Sequence, residues 1–244
     1  MENSAYIALA HQNALWRRMD VVANNIANMN TPGYKGEELM FTEYLTRSLN
    51  TDSAFKDRIV FPRDIGIARD MSEGAWQSTD NPLDVAIGGE GFFVVETAAG
   101  RMYTRNGHFK LNQDGQIVGA NGNPVLSTTN QPFFVAPNES QINISEDGTV
   151  STENAVLGRL QVVSFEDNQN LRKEAGSLFY TDQDPQPVEA PKLHQGVLEG
   201  SNVNAVVEMT QMIEINRSYT NAQKMIENEN ERQRRAMETF RGQV

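Results

Sequence analysis

Cysteine is absent from this 244-residue chain, which excludes disulfide staples, thiolate metal sites and thiol nucleophiles together. Positive charge is scarce: 21 Lys and Arg stand against 32 Asp and Glu, a formal net charge of −11. Such a balance offers no basic face to neutralise phosphates, so neither nucleic acid nor an anionic headgroup layer is an expected partner. Long apolar runs are missing as well. No window approaches the roughly 18 apolar residues of a membrane span, and membrane insertion is not expected. The first residues, MENSAYIALAHQNALWRRMD, carry an acid at position 2, no early Lys or Arg and no signal-length apolar core, so a cleaved secretory signal is not expected either. If this protein leaves the cytoplasm, it takes another route.

The signatures of catalysis are equally thin. Gly-x-Ser-x-Gly and His-Glu-x-x-His do not occur, and His11, His108 and His194 fall in three different segments. GGEGFF at 88–93 lacks the third glycine of a dinucleotide fingerprint and continues as Phe92-Phe93-Val94-Val95, a strand where a helix would be needed; a tight turn or bulge is the expectation. NQDGQ and DQDPQ lack the ligand series of a calcium loop and read as solvated turns. Tyr103-Thr104-Arg105-Asn106-Gly107 reads either as a ligand-contacting loop or, more plainly, as a hairpin edge whose arginine pairs with an acid. No catalytic residue, cofactor site or metal site is assigned, and the chain is not expected to be an enzyme.

What is present is a change of period along the chain. From about Ser4 to Asn28, Ala8, Leu15, Met19, Val22 and Ile26 follow one another at helical spacings, a heptad-like seam with Asn3 or Ser4 as the cap and Thr31-Pro32-Gly33 as the stop. After Gly200 the idea repeats at greater length. Met212, Ile215, Tyr219, Ala222 and Ile226 step by threes and fours, with Met237 and Phe240 beyond a polar stretch and Ser201 or Asn202 as the cap. Between the helices the period becomes two: Asp84–Gly88, Phe92–Thr97, His108–Asn112, Gln141–Ser145 and Leu157–Phe165 read as strands, with turns at Asp114-Gly115, Asn121-Gly122 and Asp147-Gly148. The excess of acid lies in this middle portion, 21 acids against 12 bases in 47–200.

The fold class expected is therefore α+β: long N- and C-terminal helices pairing as a coiled-coil-like domain, and a central antiparallel β-rich domain of sandwich or barrel type. The divisions are 1–35 for the first helix, 36–77 for a mixed connector, 78–195 for the β-rich domain and 196–244 for the second helix. Two helices alone leave apolar edges uncovered, so the pair is expected either to stay partly disordered or to bind neighbouring copies. The candidate interface consists of Leu15, Met19, Val22 and Ile26 in the first helix and Met212, Ile215, Tyr219 and Ile226 in the second. Asn24, Asn25, Asn28 and Asn30 at the end of the first, and Asn202 and Val203 ahead of the second, complete it. The asparagines have two open readings, a frayed helix end in water or amides aimed together at another backbone.

Three stretches resemble one family. ANNIANMNTPGYK (23–35) is similar to the N-terminal signature of the bacterial flagellar rod and hook proteins, and GVLEGSNVNAVVEMTQMIEINRSYTNAQKMI (196–226) to their C-terminal helix. NPLDVAIGGEGFFVV and YTRNGHFKLNQDGQIVGANGNPVL between them are similar to the β domain of the same family. The segment DIGIARDMSEGAWQSTDNPLDVAIGGEGFF looks most like the proximal rod member, with the distal rod member its near neighbour. The resemblance implies a structural rod subunit in the periplasm, whose partners are other copies of itself, other proximal and distal rod proteins and the flagellar type III export apparatus. It implies terminal helices packed as an inner layer that transmits torque, and export without a cleaved signal. The rival reading is a non-polymerising periplasmic binding or adaptor module.

Overall fold

The computed structural model describes residues 2–47, 58–137, 139 and 141–241. The chain divides into two compact units, one formed by Met1–Ala27, Glu37–Arg69 and Asn204–Val244, the other by Asn28–Gly36 and Asp70–Val203.

The first unit holds two helices and a hairpin. Helix α1 (Glu2–Ala27) buries Ala8, Leu15 and Val22 along the predicted seam. Its start lies upstream of the expected caps, since Asn3 and Ser4 are already helical. Strands β1 (Glu37–Arg47) and β2 (Arg58–Arg69) pair antiparallel from Glu37 opposite Arg69 to Arg47 opposite Arg58, with one irregularity between Met40 and Phe41. This long hairpin lies within the stretch that the sequence left as a mixed connector. Helix α2 (Ala205–Arg241) is capped neither by Ser201 nor by Asn202 but by Asn204, whose Oδ1 accepts from the N–H groups of Val206 and Val207 at 3.0 and 3.3 Å. At 37 residues it is about 55 Å long.

The second unit is antiparallel throughout. Its strands are β3 (Trp76–Ser78), β4 (Val85–Gly88), β5 (Phe92–Thr97), β6 (Gly100–Thr104), β7 (Lys110–Leu111), β8 (Ile117–Val118), β9 (Ile142–Ile144) and β10 (Thr149–Thr152). They continue as β11 (Val156–Arg159), β12 (Val162–Ser164), β13 (Arg172–Glu174), β14 (Leu178–Tyr180), β15 (Gln186–Pro187), β16 (Lys192–Gln195) and β17 (Val197–Glu199). The largest sheet runs β13-β14-β6-β5-β12-β15. Both faces of β5 are covered: Phe93 and Val95 belong to one core with Val85, Phe109 and Leu193, while Phe92 and Val94 belong to another with Tyr103, Phe165 and Phe179. That explains why Phe92-Phe93-Val94-Val95 reads as an unbroken apolar run rather than an alternation. Turns fall where Asp114-Gly115, Asn121-Gly122 and Asp147-Gly148 place them, each glycine at positive φ.

The expected fold class needs correction. The broad description α+β stands, but among the described residues the strands form six separate sheets of two, three or six strands, none of them closed into a barrel. Nor is the helix pair a coiled coil. The two helices meet in one cluster, Leu15, Val22 and Ile215 with Met19, Ile26, Met212 and Tyr219 against them. A coiled coil needs apolar knobs in every heptad of both helices. Here Val206, Val207, Met209 and Ile213 near the start of α2 and Met225 and Met237 further along are exposed, and the sequence ENENERQRR at 227–235 supplies no apolar residue at all. Helix α1, moreover, is shared, lying against β1 and β2 as well as α2.

Candidate functional site

In the first unit, the apolar cluster is extended by Trp16 and Tyr219, whose ring centroids lie 6.3 Å apart. Ile226 is half-buried and Ala222 is buried on the same side of α2. The side chain of Phe240 lies outside the described residues.

Asn25 ends this cluster with a polar contact. It is buried, and its amide pairs with one residue of β1 as another strand would: Oδ1 accepts from the Glu37 N–H at 3.0 Å and Nδ2 donates to the Glu37 carbonyl at 2.9 Å. The same Nδ2 donates to Glu208 Oε1 at 3.2 Å. Asn25 therefore meets a backbone, but one of its own chain and by itself, so neither a frayed end in water nor amides aimed together at another backbone describes it. Glu37 in turn accepts from Arg69 Nε at 2.9 Å through its carboxylate. Burial pushes the Glu208 carboxyl above its ordinary range, the Asn25 hydrogen bond pulls it back, and the nearby Glu38 carboxylate pushes it up further. Glu208 Oε2 is enclosed without a hydrogen-bond partner among the described residues.

Asn24 and Asn30 are exposed. Asn28 closes the turn after α1, its carbonyl accepting from the Thr31 N–H at 3.0 Å and its Oδ1 from the Thr31 hydroxyl at 3.2 Å.

The second unit brings together the end of the first stretch that carried the resemblance, the start of the last and the β segments between them. Gly33 sits at φ +67°, and a Cβ there would stand 2.5 Å from the Arg105 carbonyl carbon, so only glycine allows Tyr34 and Lys35 to lie this close. Lys35 is buried and donates to Glu199 Oε1 at 2.7 Å and to the Ser72 carbonyl. Arg105 donates to Glu199 Oε2 at 2.9 Å and to the carbonyls of Gly89 and Gly91 at 2.8 and 2.7 Å. The Gly74 N–H also reaches Glu199 Oε1, at 3.1 Å. Of the plainer reading of Tyr103–Gly107, the acid partner is observed but the edge is not: β6 lies between β14 and β5, and Arg105 just past it is buried. Asn202 stitches the same place: its Oδ1 accepts from the Gly36 N–H at 2.8 Å and its Nδ2 donates to the Asp70 carbonyl at 2.8 Å. Val203 is half-buried beside it, within reach of Gly36. The ring of Tyr34 lies under Lys173 Nζ, 4.1 Å from the centroid.

Sequence reasoning missed Lys35, Arg105 and Glu199 as one site. A buried carboxylate between two cations leaves no local pattern, and 164 positions separate Lys35 from Glu199. Among the described residues, no group of three or more His, Asp or Glu is placed to hold a metal ion, and no helix is long and apolar enough to cross a membrane.

Comparison with known families identifies the class of protein. Residues 6–35 match the flagella basal body rod protein model, residues 86–152 the flagellar hook protein FlgE/F/G D1 domain, and residues 194–239 the flagellar basal body rod FlgEFG protein C-terminal model. The chain is 38% identical to the flagellar basal-body rod protein FlgF of Caulobacter vibrioides, with 98% of each chain covered. It is 30% identical to the FlgF of Mesorhizobium japonicum over 91% of this chain and 90% of that one. With the FlgG of Buchnera aphidicola from Acyrthosiphon pisum it shares 31% identity over 88% of this chain and 91% of that one. This chain belongs to the flagellar basal-body rod protein family, a family of structural proteins, and within it is most like FlgF.

Proposed function

We propose that this protein is a subunit of the proximal part of the bacterial flagellar rod, polymerising with copies of itself and with neighbouring proximal and distal rod proteins into the helical shaft that transmits torque. One observation carries the reading: the helical unit leaves large apolar side chains in water on both helices. Trp16 is 55% exposed on α1, and Val206 and Met225 are 73% and 58% exposed on α2. A monomer covers such side chains only in part, whereas an assembly buries what is left at roughly 25 cal/mol per Å².

Within the terminal divisions 1–35 and 196–244, residues 2–27 and 204–241, with the hairpin from the 36–77 connector beside them, then form the layer against which neighbours pack, and the β-rich portion around 78–195 takes in 28–36 and 196–203. Leu15, Met19, Val22, Ile26, Met212, Ile215, Tyr219 and Ile226 hold the helical unit in the shape that neighbours recognise, and Asn24, Asn28 and Asn30 complete the candidate interface. The protein acts by packing and performs no catalysis. It reaches the rod in the periplasm through the flagellar type III export apparatus, without a cleaved signal peptide. The test is incorporation: Trp16→Glu together with Met209→Glu leaves the monomer folded and removes the chain from purified basal bodies. Normal rods built from that variant would contradict the reading.

A further inference from the structure

The ion cluster of the second unit has an unequal composition, two cations for one carboxylate, and an unequal order along the chain. Lys35 and Arg105 precede Glu199, so during synthesis or threading from the N-terminus both cations are present before their counter-ion. The side chains of Lys35 and Glu199 are 2% and 1% exposed, that of Arg105 is 4% exposed, and Glu199 receives Lys35, Arg105 and the Gly74 N–H. Without that carboxylate, closing the site would bury two like charges against each other, and breaking a buried pair in this way is strongly destabilising. Lys35 is already held below the ordinary lysine range by burial, with the Glu199 hydrogen bond as the largest opposing influence.

The backbone follows the same dependence. The Gly33 N–H donates to the Glu199 carbonyl at 2.8 Å, the Gly36 N–H to Asn202 Oδ1 at 2.8 Å, and the Asn202 N–H to the Tyr34 carbonyl at 3.4 Å. Strand β17, which carries Glu199, pairs along its length with the short β3. We infer that Glu199 closes the second unit last: residues 33–36 dock only when β17 places its carboxylate between Lys35 and Arg105, so that a chain lacking its C-terminal strand cannot seat its N-terminal segment. The inference stands on the geometry of this unit and does not depend on the rod assignment.

Pulse-labelled hydrogen exchange during refolding of the full chain tests it. The amides of Gly33 and Gly36 are expected to gain protection in the same phase as those of Gly74 and Gly200, and later than those of Glu96 and Leu126 around β5. In Glu199→Gln at equilibrium, exchange at Gly33 and Gly36 is expected to rise on the order of 100-fold or more while Glu96 and Leu126 are unchanged. Lys35→Met combined with Glu199→Gln removes one of the stranded cations and is expected to recover most of that protection. Protection of 33–36 ahead of Gly200, or unchanged exchange in Glu199→Gln, would overturn the inference. Should Glu199→Gln not fold, the double variant decides: a folded protein upholds the role of charge, and an unfolded one refutes it.

Discussion

Replacing Asn25 by Ala removes an amide that satisfies two buried backbone groups at once. The Glu37 N–H and carbonyl lose partners at 3.0 and 2.9 Å, and Glu208 loses the donor at 3.2 Å on its Oε1 while its Oε2 has none to begin with. A buried polar group left unsatisfied costs about 1–3 kcal/mol, so two of them set the loss near 3 kcal/mol once some water enters the vacated volume. Asn25→Asp separates the contributions. It keeps the acceptor for the Glu37 N–H, loses both donated bonds, and sets a second carboxylate against Glu208 and the Glu37 carbonyl, so it is expected to cost more than Ala at neutral pH and less in acid. The assay is urea unfolding followed by the helical circular-dichroism signal, with hydrogen exchange at the Glu37 amide as the local readout. A loss below about 0.5 kcal/mol for Asn25→Ala, with Glu37 exchange unaltered, would refute the bracket as a structural element.

The seam and the junction give further expectations. Ile215 is 2% exposed, and Ile215→Asp combines a lost apolar side chain with an unpaired buried charge, for about 4 kcal/mol or more; helical signal is expected to fall while the β unit melts as before. Gly33→Ala forces a Cβ into the Arg105 backbone at positive φ and is expected to destabilise the second unit by about 3 kcal/mol, read as a lowered melting temperature of its β signal. For Glu208 the sign is fixed by the raised carboxyl: the folded state holds the proton more tightly than the unfolded chain, so stability rises as pH falls through the folded value and levels off below the ordinary glutamate range. Glu208→Gln is expected to flatten that dependence in unfolding titrations between pH 4 and pH 7 (about 4.3 being the unfolded carboxyl).

The elements that the sequence marked most clearly are those in which one neighbour decides the pattern. Phe92–Thr97 was legible because its apolar run fits only a strand covered on both faces, and Leu15, Met19 and Val22 because a single helix stripe faces a single cluster. The β1–β2 hairpin was not legible. Pro62 and Gly66 interrupt its second strand, and such residues are tolerated only because a two-stranded ribbon consists of edges. The sequence offered Ser201 or Asn202 as the cap, and the choice of Asn204 follows from contacts far away in the chain, since Asn202 is occupied with Gly36, Asp70 and Ser72. Turn spacing announced many antiparallel strands but carries no information on closure, which depends on strand tilt and shear. Heptad spacing in two helices likewise promises an apolar face on each without deciding whether a second helix or a hairpin covers it. At the candidate site, Asn25 was recognisable as an amide in need of a backbone, whereas its partner Glu37 was not.

Electron microscopy of basal bodies purified with this chain offers the most direct test of its role as an axial building block. The expected density places the chain in the rod, with Trp16, Val206 and Met209 against adjoining subunits. A rod of normal length without this chain, or one in which those three side chains face solvent, would contradict the account.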